Sequence, residues 1–164
     1  MKTKLIFAAL AFWLPVCAAY AELPNLPELK EGLWSFHSVT TNNLGNKVEN
    51  TVKLCRDHAY DKHIRELGNK ATACVKISES TGGGKYSVEQ RCTIGKYVMQ
   101  SKSTAVLQGN ALHGESHTTT TPAMGGESET TTISDSQYEG SCPAGVVPGD
   151  TIRTDGTITH GRKY

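Results

Sequence analysis

Apolar and polar residues alternate along most of the chain, which is the pattern of β-strands with one face on a core. The clearest case is the segment 47–55, where Val48, Val52 and Leu54 share one side. Strands of this kind are predicted at 32–40, 47–55, 75–77, 85–92 and 97–107. Turn residues separate them at a spacing of about ten residues. The pattern therefore predicts a mainly β fold: an antiparallel meander that forms a curved sheet or an incomplete barrel.

A threonine-rich segment follows these strands. Runs of threonine at 118–121 and 130–132 flank a Pro-Ala-Met-Gly-Gly sequence. Because threonine favours strands, we predict one long hairpin over 111–138, solvated on much of both faces. In the tail at 143–164, Asp155-Gly156 predicts a two-residue turn that pairs Ile152 with Thr159. This register puts Ile152 and Ile158 on opposite faces, so we expect the tail to be loosely attached.

One helix is predicted after residue 55. Four residues spaced at i, i+3, i+4 and i+7 share one of its faces: Tyr60, His63, Ile64 and Leu67. Asp57 is a suitable N-cap, and Gly68-Asn69 can end the helix. A helix of about ten residues is not stable alone, so tertiary packing and a crosslink must hold it.

The N-terminus has the form of a secretory signal. Lys2 and Lys4 precede an apolar run at 5–16, and Ala19-Tyr20-Ala21 is a small-x-small ending. We predict a signal peptide at 1–21 with cleavage after Ala21, an extended leader at 22–31, and a periplasmic or secreted protein. The apolar run is too short for a membrane anchor, and Val16 before Cys17 does not suit a lipoprotein signal.

Charge excludes one class of partner. The whole chain has a formal net charge of +1, and cleavage would remove two lysines. With no excess of basic residues, nucleic-acid binding is not expected. No later segment has the length of a transmembrane helix.

Four cysteines remain after cleavage: Cys55, Cys74, Cys92 and Cys142. An even number in an exported chain predicts two disulfides. Four cysteines allow three pairings, of which we favour Cys55–Cys74 with Cys92–Cys142. The alternative, a zinc site, lacks a Cys-x-x-Cys pair.

Several of these features occur together in a known order. Gly32-Leu33-Trp34 opens the first strand, Cys55 precedes the helix, Cys74 and Cys92 follow, and Tyr138–Cys142 closes the domain. In this order and spacing the chain at 32–142 resembles the DUF3617 family, which are small exported proteobacterial proteins of uncharacterised function. The resemblance implies a periplasmic envelope protein and carries over no catalytic residue.

No catalytic or metal-binding constellation is visible, and no cofactor is expected. His113 and His117 are four residues apart, which separates them by about 13 Å on a strand. That distance is too great for one metal ion, although a buried cluster of His113, Glu115 and a third ligand would form a metal site. No serine lies in a nucleophile motif.

Four aromatic residues are the candidate ligand contacts. They could line the concave side of a curved sheet: Trp34, Phe36, Tyr86 and Tyr97. We therefore predict a non-enzymatic module that binds a small apolar ligand, a lipid or an envelope protein. The alternative is a hydrolase or metal-dependent enzyme with a site assembled from distant residues.

Overall fold

A computed structural model of the protein describes residues 28–67, the backbone of 68–71, and residues 74–161. The predicted signal peptide and most of the predicted leader lie outside these residues. The described chain contains nine strands and one helix: β1 (Gly32–Asn42), β2 (Lys47–Arg56), α1 (His58–Ala71), β3 (Cys74–Gly82), β4 (Lys85–Ile94), β5 (Tyr97–Gln108), β6 (Ala111–Met124), β7 (Glu127–Gly140), β8 (Thr151–Arg153) and β9 (Ile158–Thr159).

The strands form a single open sheet in the order β3-β4-β5-β6-β7-β1-β2-β8-β9. Strands β3 to β7 follow one another as a meander, and β1 lies between β7 and β2. Every neighbouring pair is antiparallel. The predicted mainly β fold with one short helix and two disulfides is confirmed.

The two faces of the sheet differ in burial. Residues directly opposite each other on neighbouring strands project from the same side. The inner face carries Trp34, Val88 and Ala105, which are at most 2% exposed. The outer face carries His37, Asp135 and other exposed or half-buried polar residues. Part of the core therefore lies on the inner face, whereas Leu33 and Cys55, which are at most 8% exposed, are direct partners on the other face at one end of β1 and β2.

The predicted threonine-rich hairpin is confirmed as β6 and β7. Its turn contains Gly125 and Gly126, whose φ angles are +62° and +91°. Only glycine adopts these angles without a steric penalty, which explains why the turn falls there. The hairpin spans the sheet between β5 and β1 and so places its polar residues beside both strands.

The helix begins as the sequence predicts and ends later. The Asp57 Oδ1 atom accepts the backbone N–H of Tyr60 at 2.7 Å, which confirms Asp57 as the N-cap. The predicted end at Gly68-Asn69 is wrong, because α1 continues to Ala71. Lysine and alanine, the next two residues, are strong helix formers and extend it past a weak stop.

The favoured disulfide pairing is wrong. The bridges are Cys55–Cys142, with Cα atoms 5.6 Å apart, and Cys74–Cys92, with Cα atoms 3.9 Å apart. Cys74 and Cys92 are direct partners on β3 and β4. Leu33 of β1 pairs with Cys55 on one side and with Gly140 on the other, so β1 brings Cys55 close to Cys142. The spacing of the cysteines in the sequence does not indicate that β1 lies between β7 and β2.

The tail is bound to the sheet, in contrast to the loose attachment expected from its sequence. The carbonyl of Asp150 accepts the N–H of Cys55 at 3.0 Å, and the carbonyl of Cys55 accepts the N–H of Gly149 at 2.8 Å. Strand β8 then continues this pairing along β2. Main-chain hydrogen bonds, rather than an apolar side, hold the tail.

The buried Asp150 carboxylate fixes the tail from within. Asp150 is 1% exposed, and its oxygens accept hydrogen bonds from the N–H groups of Val147 and Gly161 and contact Nδ1 of His160. The bond from Val147, followed by the contact with His160, lowers the pKa of Asp150 below 3.8. A buried carboxylate with these partners remains ionised.

The predicted turn in the tail is wrong by one residue. Ile152 pairs with Ile158, and the N–H of Arg153 donates to the carbonyl of Thr157 at 2.9 Å. The loop therefore has three residues, with Gly156 at φ +83°. A third loop residue in this left-handed conformation is a common hairpin closure. The two isoleucines consequently lie on the same face.

Candidate functional site

A groove of about 640 Å³ crosses β1, β2, β5, β6 and β7 on the outer face. Val106 and Ala111 contribute apolar surface, whereas His37 and Asp135 are among its polar residues. Pockets for small ligands have volumes of roughly 300–1,000 Å³ and combine apolar walls with a few placed polar groups. The groove has both properties.

Three titratable residues form a row across the groove. Asp135 of β7 lies directly opposite His37 of β1 on one side and His113 of β6 on the other. All three project from the outer face because they are direct cross-strand partners. The fold thus assembles this row from residues that are far apart in the chain.

His113 is held by carboxylates at both ring nitrogens. Its Nδ1 lies 2.7 Å from Oδ1 of Asp135, and its Nε2 lies 3.3 Å from Oε1 of Glu115. Hydrogen bonds to Asp135, and then to Glu115, raise the pKa of His113 above 6.5. Two carboxylates favour the imidazolium, in which both nitrogens donate. This ring has no nitrogen left to act as a base or to bind a metal.

His37 has different partners. Its Nδ1 lies 2.9 Å from the hydroxyl of Thr51, and its Nε2 lies 3.6 Å from a carboxylate oxygen of Glu49. Both His37 and Glu49 have side chains more than 40% exposed. This site is open to water, and the Glu49 contact is longer than a hydrogen bond.

Of the four predicted aromatic contacts, only Phe36 borders the groove, and its side chain projects from the inner face because it alternates with His37 along β1. Trp34 is 1% exposed, its Nε1–H donates to the carbonyl of Lys30 at 2.8 Å, and its ring centroid lies 5.6 Å from that of Tyr138. Trp34 is therefore a core residue. Tyr86 and Tyr97 are half-buried on β4 and β5, on the same face as Trp34, and are not part of the groove.

Sequence reasoning missed His37 and Asp135, and it considered His113 only as a possible metal ligand beside Glu115. Each looks like an ordinary polar strand residue in its own segment. The only available signal was the alternation, which placed each residue on the polar side of its strand. These residues come together only because of the order of the strands in the sheet, and no local sequence pattern predicts that order.

The described residues contain neither a cluster of metal-ligating side chains nor a membrane-spanning helix. No group of three or more His, Cys, Asp or Glu side chains there is placed to hold a metal ion. Nor does the described helix have the length and apolar character needed to cross a membrane.

The fold and its crosslinks define a class: a small antiparallel β protein with two disulfides, a feature consistent with an oxidising compartment. Residues 29–142 match the family of proteins of unknown function called DUF3617. The match covers more than half of the chain, and the protein belongs to this family. No curated protein and no solved structure matches the chain.

Proposed function

We propose that this protein is an exported, non-enzymatic binding module that takes a small molecule with an apolar body and a polar head group. The groove of about 640 Å³ is the observation that supports this proposal most directly. Val106 and Ala111 offer the apolar contacts, and the row of His37, Asp135 and His113 offers the polar ones. The two disulfides are compatible with export.

The polar head group would meet fixed partners. Because Asp135 and Glu115 already contact both nitrogens of His113, that ring keeps its orientation. Fixed polar groups lower the cost of ordering on binding. The carboxylate of Asp135 retains acceptor capacity, so a head group that donates hydrogen bonds suits this position.

A fluorescence titration with N-phenyl-1-naphthylamine, an apolar amine, tests the proposal. Ala111 is half-buried and lines the groove, so Ala111→Trp should fill part of it and weaken probe binding about tenfold or more. Ala123→Trp is the matched control, because Ala123 is an exposed residue of the same hairpin outside the groove. Equal binding by both variants and the wild type would place the probe elsewhere and contradict the proposal.

A hydrolase is the second candidate, and one observation favours it. Thr51, His37 and Glu49 lie in the order of a nucleophile, a base and an acid. The exposure of this trio and the long contact to Glu49 argue against it, since catalytic sites exclude water. Turnover of p-nitrophenyl esters by the wild type that Thr51→Val abolishes would support the enzyme and refute the binding module.

A further inference from the structure

The tail covers only part of the free side of β2. Strand β8 pairs with residues 52–54, and the loop before β8 bonds to Cys55. The rest of the strand, residues 47–51, pairs with β1 on one side, and no described residue pairs with its other side. All residues of this open segment are exposed. A strand segment of this kind can accept a further strand.

Hydrogen bonds at both ends of β2 show which main-chain groups of the open segment face outward. The N–H and C=O groups of Cys55 bond to the tail, so they point away from β1. At the other end, the carbonyl of Asn46 accepts the N–H of Asn42 and so points toward β1. Main-chain groups alternate in direction along a strand, and the pairs between β1 and β2 run without a register shift. The outward groups of the open segment therefore belong to Lys47, Glu49 and Thr51.

A second concave region, the tail pocket, lies where the open segment meets the tail. It has a volume of about 470 Å³ and is lined by residues 50–52, 151, 153–155 and 159. Ile152 pairs with Lys53, so a straight strand added along 47–51 cannot continue past Thr51. One end of such a strand therefore lies in the tail pocket.

The charges of the tail pocket differ in how far they are already satisfied. Of the residues that line the pocket, Arg153 alone is cationic, and it forms none of the ion pairs of the described chain. Asp155 is the acidic lining residue, and its Oδ1 accepts the N–H of Thr157 at 2.9 Å. Hydrogen bonds from Thr157, followed by the charge of Arg153, lower the pKa of Asp155 below 3.8. Asp155 thus has a partner within its own turn, whereas the guanidinium of Arg153 retains donors for a further anion.

This difference selects the direction of an added strand. A peptide that ends in the tail pocket brings either its N-terminal ammonium or its C-terminal carboxylate there. The guanidinium of Arg153 repels an ammonium and attracts a carboxylate. A peptide whose C-terminus lies at the Thr51 end of the segment runs parallel to β2.

We propose that the open segment of β2 binds an extended peptide as an added parallel strand, with the C-terminal carboxylate of the peptide at Arg153. Main-chain bonds to the outward groups of the segment provide affinity with little demand on the peptide sequence. Val48, which is 61% exposed, offers an apolar contact beside them. The site is separate from the groove of the proposed function except for Thr51, which borders both.

Fluorescence anisotropy of the mature, oxidised protein tests the carboxylate contact. The probe is the hexapeptide Ser-Val-Thr-Val-Ser-Val with fluorescein on its N-terminus and a free C-terminal carboxylate. The same peptide with a C-terminal amide should bind the wild type about tenfold or more weakly. Arg153→Gln should weaken binding of the carboxylate peptide by a similar factor and leave binding of the amide unchanged.

Arg91→Gln is the matched control, since Arg91 is an exposed residue of β4 outside the tail pocket. It makes the same charge change and should leave the affinity for both peptides unchanged. Ala111→Trp, which fills part of the other groove, should also retain peptide binding. Loss of peptide binding in Ala111→Trp would place the peptide in that groove and overturn this site. Circular dichroism and an intact mass with both disulfides verify that each variant folds.

Two N-methylated probes test the strand pairing itself. In a strand paired on one side, every second N–H donates to the neighbouring strand and the others point away. N-methylation of alternate residues of the hexapeptide, starting from its last residue or from the one before, removes one set or the other. We expect one of these two peptides to bind and the other to lose binding. Equal binding by the two N-methylated peptides, equal binding of the carboxylate and amide peptides to the wild type, or a wild type that binds no probe would overturn the proposal.

Discussion

Removing the two disulfides separately should destabilise the protein by different amounts. Cys55–Cys142 closes a separation of 87 residues, whereas Cys74–Cys92 closes one of 18. In the chain-entropy treatment the long bridge contributes about 4.6 kcal/mol and the short one about 3.2 kcal/mol. The expected difference between the two bridges is therefore about 1.4 kcal/mol.

The assay is urea unfolding of two double variants without reductant. Cys55→Ala with Cys142→Ala removes the long bridge, and Cys74→Ala with Cys92→Ala removes the short one. We expect the first variant to lose more unfolding free energy than the second. The first also loses a fully buried sulfur, because Cys55 is 0% exposed, which adds to the same direction.

A mismatched pair of substitutions supplies the control. Cys55→Ala with Cys74→Ala leaves Cys92 and Cys142, which are not partners in the structure. Thiol titration should then find two free thiols in the folded variant, and none in either matched variant. Equal losses of stability in the matched variants would refute the entropic reasoning, and a bridge between Cys92 and Cys142 in the native protein would refute the fold.

Four other substitutions test the packing and the titrating groups. Gly32→Ala should lower the free energy of unfolding by about 2–3 kcal/mol or more, because residue 32 has φ +136° and a Cβ there would lie 2.2 Å from the carbonyl oxygen of Gly140. Gly45→Ala, at φ +82° with no atom within 4 Å of the added Cβ, should lower it by only about 1 kcal/mol in the same urea titration. Because the pKa of Asp150 is lowered in the folded state, this carboxylate stabilises the fold above pH 3.8, and the contribution is lost as pH falls through the pKa of the folded state. The acid unfolding curve of Asp150→Asn should therefore be flatter than that of the wild type. The raised pKa of His113 acts in the opposite direction: its contribution to stability is complete below pH 6.5 and is lost as pH rises through the pKa of the folded state. His113→Gln should abolish this loss in urea midpoints measured across that pH range. A steeper acid unfolding curve for Asp150→Asn, or a pH dependence of His113→Gln equal to that of the wild type, would contradict these assignments.

Local pattern predicted the parts of the fold that local interactions determine. The alternation in β2, the threonine-rich hairpin and the cap at Asp57 all depend on residues close together in sequence. The insertion of β1 between β7 and β2 depends on interactions between residues far apart in the sequence. That insertion decides the partner of Cys55 and also brings His37 to Asp135, so the disulfide pairing and the site were missed for one reason.

The tail shows a second limit of the sequence. Its apolar residues are few, and a count of apolar contacts predicts weak attachment. The attachment instead comes from main-chain bonds to Cys55 and from the buried carboxylate of Asp150, whose partners Val147 and His160 become neighbours only after the chain has turned. Hydrogen bonds of this kind leave no periodic signal.

Native mass spectrometry of the mature protein, purified without reduction, tests the central claim that the groove binds a small molecule. We predict a non-covalent adduct of small-molecule mass on the wild type, retained by Ala123→Trp and lost by Ala111→Trp. Spraying the same samples from denaturing solvent should release the adduct and leave a mass four hydrogens below the reduced chain, as two disulfides require. A wild type that carries no adduct and gains none with N-phenyl-1-naphthylamine, or an adduct equally present on both variants, would contradict the groove as the binding site.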